Sequence, residues 1–107
     1  MTGREKMTYA EKRVYLYNRA GSRCEECGRN IELHSFEWAH RLPQDEVYMS
    51  RYGKKIIHHP LNAAAVCQAR SCNDAVSMRE HPIEEKKLVE RIRRALDAEE
   101  AYGAMFL

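Results

Sequence analysis

The 107-residue sequence has no apolar run long enough to cross a membrane, so a membrane-spanning helix is excluded. The opening MTGREKMTYAEKR has charges but no apolar stretch behind them, which is not the pattern of a signal peptide. No internal repeat and no low-complexity segment is visible. Net charge is small, +2 from 18 basic and 16 acidic residues, so overall balance singles out no partner. Cysteine is scarce: there are four, and in the cytoplasmic protein that these absences lead us to expect, thiols stay reduced and are better suited to metal than to disulfides.

What is present fits one domain, residues 1–107, with a core small enough to profit from a staple. The charge is uneven. Arg4, Lys6, Lys12, Arg13, Arg19 and Arg23 crowd the front, and Arg41, Arg51, Lys54, Lys55 and Arg70 follow in the middle. Asp97, Glu99 and Glu100 collect near the end. A basic front suits a phosphate partner, although charge alone is equally well read as ordinary solvated surface.

Thr8-Tyr9-Ala10-Glu11 reads as a capping box opening a helix over 8–20, with Ala10, Val14 and Tyr17 as its packing face and Gly21 as its stop. Ser35 to His40 reads as a strand with Phe36, Trp38 and His40 on one face. The stretch from Arg41 to Pro60, punctuated by Pro43, Gly53 and Pro60, reads as a long loop with a helical turn near 46–52. Asn62 to Cys67 reads as a second strand, and Cys72 to Arg79 as a short helix. After His81-Pro82, an amphipathic helix is expected over 82–102, with Leu88, Ile92, Ala95 and Leu96 on one face.

The cysteines form two pairs, Cys24-x2-Cys27 and Cys67-x4-Cys72. Zinc takes four soft donors in a tetrahedron, and two short-range pairs from distant parts of the chain supply that set. The expectation is one structural zinc site on Cys24, Cys27, Cys67 and Cys72, closed to chemistry. The alternatives are buried free thiols or two disulfides.

Between and beside these pairs stand His40 (in Trp38-Ala39-His40-Arg41), Asn62 (in His59-Pro60-Leu61-Asn62) and Asn73, directly after Cys72. This order resembles the HNH endonuclease family, the ββα-metal or His-Me finger nucleases, over about Cys24 to Ser77. The fold class the resemblance implies is α+β: a zinc-stapled ββα-metal finger over 24–79, flanked by an N-terminal and a C-terminal helix. It implies His40 as general base and Asn62 as the residue that ties down the loop. It implies Asn73 as a ligand of a catalytic Mg²⁺ or Mn²⁺. The partner would be nucleic acid, double-stranded DNA first, gripped by Arg41, Arg51, Lys54, Lys55 and Arg70. Similar small proteins are often encoded by phages and prophages, which implies phage DNA processing in a bacterial host cell. Two positions depart from the family: Asn73 replaces its second His, and Ala39 stands where a metal-binding Asp or His is usual.

Each residue also has a plainer reading. His40 can be a strand histidine packed beside Trp38, Asn62 a turn residue, and Asn73 a helix cap. His58 and His59 can be loop residues, and Trp38 and Tyr48 packing residues rather than platforms for bases. Two further functions therefore stand beside the nuclease: an HNH-like module that binds DNA without cutting it, and a zinc-stapled adaptor that docks a protein partner on the Ile83–Tyr102 helix.

Overall fold

The computed structural model describes residues 8–102; Arg4 and Lys6 of the basic front lie outside them. Helix α1 (Tyr9–Arg19) is followed by strand β1 (Glu37–His40), the short helices α2 (Glu46–Tyr52) and α3 (Lys54–Ile57), and a 3-10 turn at Pro60–Asn62. Strand β2 (Ala63–Val66) comes next, then α4 (Arg70–Ala75) and the long α5 (Pro82–Tyr102). The architecture is α+β, with one two-stranded antiparallel sheet.

The capping box forms. Thr8 Oγ1 accepts from Glu11 N–H at 3.1 Å, and the Glu11 carboxylate accepts from Thr8 N–H at 2.8 Å. The packing face is the expected one only in part: Tyr17 packs on the core beside Phe36, but Ala10 and Val14 are exposed and Leu16 is the buried residue. Cations share the inward face: Lys12 and Arg13 are half-buried. The Arg13 guanidinium lies 3.9 Å over the Phe36 ring and donates to the carbonyls of Leu33 and Phe36 at 2.9 Å each. A flat cation can cover apolar surface while its N–H groups find acceptors, and that use is invisible to a hydrophobic pattern.

In the sheet, Trp38 faces Ala65, Ala39 faces Ala64 and His40 faces Ala63. Every residue of β2 is buried, and its alanines let neighbouring elements approach closely. Two apolar cores result. One gathers Leu16, Cys24, Phe36, Ala39, Val66, Cys67, Cys72 and Val76 around the sheet. The other joins Leu42, Tyr48, Ile56 and Ile57 to Leu88, Val89 and Ile92 of α5. The stretch 41–60 is therefore not one long loop: the expected helical turn is α2, at Glu46–Tyr52, and α3 follows it. Asp45 caps α2 by accepting from Tyr48 N–H, and Gly53, at φ +86°, lets α3 start at once in a new direction. Helix α4 begins at Arg70, two residues before Cys72, and ends at Ala75, short of Arg79.

Candidate functional site

The turn Cys24–Gly28 is built to present sulfur. Gly28 sits at φ +80°, where a side chain would be strained, and its N–H returns to Cys24 C=O at 3.0 Å. The N–H groups of Glu26 and Cys27 both point at Cys24 Sγ, each at 3.4 Å. The second pair arrives from the end of β2 (Cys67) and from α4 (Cys72). The four Sγ atoms lie within 4.8 Å of one another. Cys27 Sγ and Cys67 Sγ are 3.9 Å apart, too far for a disulfide and close to the ~3.8 Å edge of a tetrahedron with 2.3 Å metal–sulfur bonds. All four are free cysteines, three buried and Cys27 exposed. The cluster can hold a metal ion.

The thiols are electrostatically unequal. Burial pushes Cys24 up, but N–H groups of Cys27, Cys67 and Glu26 and the Cys27 thiol outweigh it and bring its pKa down to about 6. Cys72 is pushed up to about 12, first by burial and then by the neighbouring sulfurs of Cys67, Cys27 and Cys24. One thiolate is thus prepared in advance, and a metal taken up here displaces the remaining protons.

Glu25, within the same turn, locks the knuckle to the sheet. Its N–H donates to Ala65 C=O at 2.9 Å, and its carboxylate accepts from Ala65 N–H at 2.7 Å. The same carboxylate pairs with Arg19 at 3.0 Å and Arg41 at 3.1 Å. Arg19 also donates to the carbonyls of Pro60 and Ala63. Neither Glu25 nor Arg19 stands out in the sequence, since each looks like one more surface charge. Arg41, expected to grip phosphate, is held in this ion pair.

His40 ends β1 half-buried. Its ring meets that of His58 edge-on, with centroids 5.7 Å apart. Burial first, and the charge of His58 second, hold His40 below the ordinary imidazole value. Both histidines line a hollow of ≈ 370 Å³ together with Tyr9, Lys12, Trp38 and Gln44. His59, 5% exposed, is fixed on both sides: Nδ1 accepts from Leu61 N–H at 3.1 Å, so Nε2 carries the hydrogen it shares with Glu99 at 3.0 Å.

Asn62 is fully buried, and its amide is spent on backbone. Oδ1 accepts from Leu42 N–H at 2.7 Å, and Nδ2 donates to Leu42 C=O at 3.1 Å and Ile57 C=O at 2.8 Å. Its own C=O accepts from Arg41 N–H at 2.8 Å. It therefore fastens the chain directly after His40. Asn62 also ends the 3-10 turn Pro60–Asn62, its N–H donating to His59 C=O at 2.8 Å, so the turn reading holds beside the anchoring role.

Asn73 is exposed on α4 and is not among the residues lining the hollow at His40. Ala39 is 2% exposed, in the same apolar core as Val76 and Cys72. Among the described residues, the cysteine cluster is the one set of three or more His, Cys, Asp or Glu side chains gathered closely enough for an ion. The remaining basic residues are spread out. Arg51 on α2 pairs with Glu85 of α5 at 3.3 Å, while Lys54 and Lys55 on α3 and Arg70 on α4 are exposed. No helix among the described residues is long and apolar enough to cross a membrane. No protein-family model, curated protein or solved structure matches the chain.

Proposed function

We propose that the chain is a zinc-stapled domain of the HNH endonuclease type, which binds DNA and hydrolyses its phosphodiester bonds with His40 as general base. The observation that carries this reading is the anchoring of the segment after His40 by the buried amide of Asn62, inside a strand–strand–helix unit whose ends are drawn together by the cysteine pairs. A base must present a free nitrogen at a fixed place, and here the backbone on its C-terminal side cannot drift. The environment of His40 favours the neutral imidazole that a base requires. In the reaction, His40 takes the proton from water as the water oxygen bonds to phosphorus, and the ester oxygen leaves.

Zinc is the ion proposed for the four-cysteine cage, because an all-thiolate tetrahedral set matches its preference. The resemblance also implies a catalytic Mg²⁺ or Mn²⁺. The residues at hand do not fit a preformed site for it: Ala39 offers no donor, and the Asn73 amide lies outside the lining of the His40 hollow. That same observation favours a second reading, a DNA-binding module that has lost cleavage. Lys54, Lys55 and Arg70 remain exposed for phosphate in either case, and phosphate contacts give affinity without sequence choice. A cytoplasmic role in phage DNA processing, or docking of a protein partner on α5, rests on the sequence reading alone.

Relaxation of supercoiled plasmid in Mg²⁺ or Mn²⁺, compared between the wild type and His40→Ala, decides the matter. Nicking that is lost in the variant supports the nuclease. Equal behaviour of the two proteins, with duplex binding retained, leaves the binding module.

A further inference from the structure

Tyr9 is 62% exposed, yet its ring is not free in solution. It lies on Trp38, with centroids 5.2 Å apart and planes 13° from parallel. The stack is held from both ends. Tyr9 is the first residue of α1, fixed by the capping box at Thr8, and Trp38 sits in β1 opposite Ala65. Both rings line the hollow that contains His40 and His58. Lys12, nearly one helical turn after Tyr9, supplies a cation to the same hollow, and Gln44 an amide.

We propose that this hollow takes an unpaired nucleotide of DNA, whose base continues the Tyr9–Trp38 stack while Lys12 meets its phosphate. The inference rests on the nucleic-acid reading above and narrows its substrate to single-stranded, flipped or frayed DNA. Aromatic faces recognise bases by stacking, and in a duplex those faces are already covered by neighbouring pairs. Two near-parallel rings beside one amine and one amide suit a base with its phosphate. The volume, ≈ 370 Å³, lies at the lower end of small-ligand sites, about 300–1,000 Å³, which suits one nucleotide better than a base pair. The plainer role for Tyr9 is to roof Trp38 and to meet Arg13, which donates to its hydroxyl at 3.4 Å and lies 5.9 Å from its ring centroid.

Trp38 is the sole tryptophan, so intrinsic fluorescence reports on this hollow. The full chain is titrated with a thymidine oligonucleotide and, separately, with a duplex of equal length and phosphate count. No Mg²⁺ or Mn²⁺ is added, so a domain unable to cut still gives an answer. Quenching by the single strand, with affinity at least about tenfold above the duplex, is expected. Tyr9→Leu keeps the roof and removes the π face. It should weaken single-strand binding about tenfold while leaving duplex binding unchanged and the fold intact, with a melting temperature only a few degrees lower from loss of the stack and the Arg13 contacts, and Tyr9→Phe should bind as the wild type. Equal affinity for both DNA forms, no quenching, or wild-type binding by Tyr9→Leu would overturn the proposal. Failure here leaves plasmid nicking by His40 untouched, and a domain that binds single strands but never nicks fails only the catalytic reading.

Discussion

Removing the sulfur ligands tests the physical basis of the whole architecture. The span from Cys27 to Cys67 is 40 residues, and their sulfurs stand 3.9 Å apart. Treated as a cross-link closing a loop of that length, the cage takes about 4 kcal/mol of chain entropy out of the unfolded state at 25 °C. The ligation itself is larger: structural zinc binding is worth about 10–16 kcal/mol near neutral pH, against a total stability of about 5–15 kcal/mol for an ordinary domain. Three of the four cysteines also lie in the core around the sheet, so serine at those positions places hydroxyls among Phe36, Val66 and Val76 of the same core. Replacing Cys24, Cys27, Cys67 and Cys72 together by serine should therefore leave a chain with no cooperative melt at 25 °C. Pairwise replacement of Cys67 and Cys72 alone should do nearly as much, because two ligands from one turn cannot close the loop. The assays are metal content of the purified protein by elemental analysis, expected at one zinc per chain, and thermal melts followed by circular dichroism. Substoichiometric metal, or a quadruple serine variant that melts cooperatively near the wild type, would refute the reasoning.

Further outcomes are expected. Asn62→Ala strands three buried backbone groups and should cost about 3–5 kcal/mol, lowering the melting temperature by at least about 12 °C; a drop of only a few degrees would show that Leu42 and Ile57 find other partners. Glu25→Gln leaves the half-buried Arg19 and Arg41 without their shared carboxylate and should cost about 1–2 kcal/mol after allowance for their partial exposure, seen as a lower urea midpoint. For the same reason Arg41→Ala should lower stability yet keep duplex affinity within about twofold, and a tenfold loss in a binding titration would restore it as a phosphate contact. The last concerns acidity: a depressed His40 pKa keeps the neutral base present as pH falls below the ordinary 6.5, so the acid limb of the proposed nicking should lie below that value. His58→Ala should move that limb only part of the way back, because burial is the larger cause; a wild-type limb at or above 6.5 would contradict the assignment.

How far the sequence reveals these features depends on whether their cause is local. The Thr8–Glu11 box, Gly28 in the cysteine turn and the α5 stripe of Leu88 and Ile92 are each set by residues within a turn or two, and each is legible. The gathering of both cysteine pairs is long-range but advertised by spacing. Helix α2 is legible only as a helical turn near 46–52 and α3 escapes notice, because Gly53 interrupts them and their apolar residues, Tyr48, Ile56 and Ile57, make a face only when α5 arrives. The roles of Arg13, Arg19 and Glu25 escape for a different reason: a charge used to cap carbonyls or pair across the chain looks the same in a sequence as a charge in water. The pairing of His40 with His58 is of this second kind. Their eighteen-residue separation carries no periodicity, and only the fold sets the rings edge to edge.

The position of that histidine pair explains why a fully buried amide is kept at residue 62. His40 comes from the strand that belongs to the sheet core. His58 directly follows Ile57, which belongs to the core shared with α5. The hollow thus lies at a seam between two small cores, and apolar packing alone would let one slide against the other, since burial has no preferred direction. Hydrogen bonds do have one. Asn62 leads into β2 on one side and grips Leu42 and Ile57, both members of the other core, on the other. A leucine would restore apolar contact but neither the registration nor the partners of Leu42 N–H, Leu42 C=O and Ile57 C=O. Asn62→Leu should therefore be destabilised much as Asn62→Ala is, and should lose the proposed His40-dependent nicking even at temperatures where the variant is fully folded. Wild-type nicking by the folded variant would show that the amide adds stability only and does not hold the seam in register.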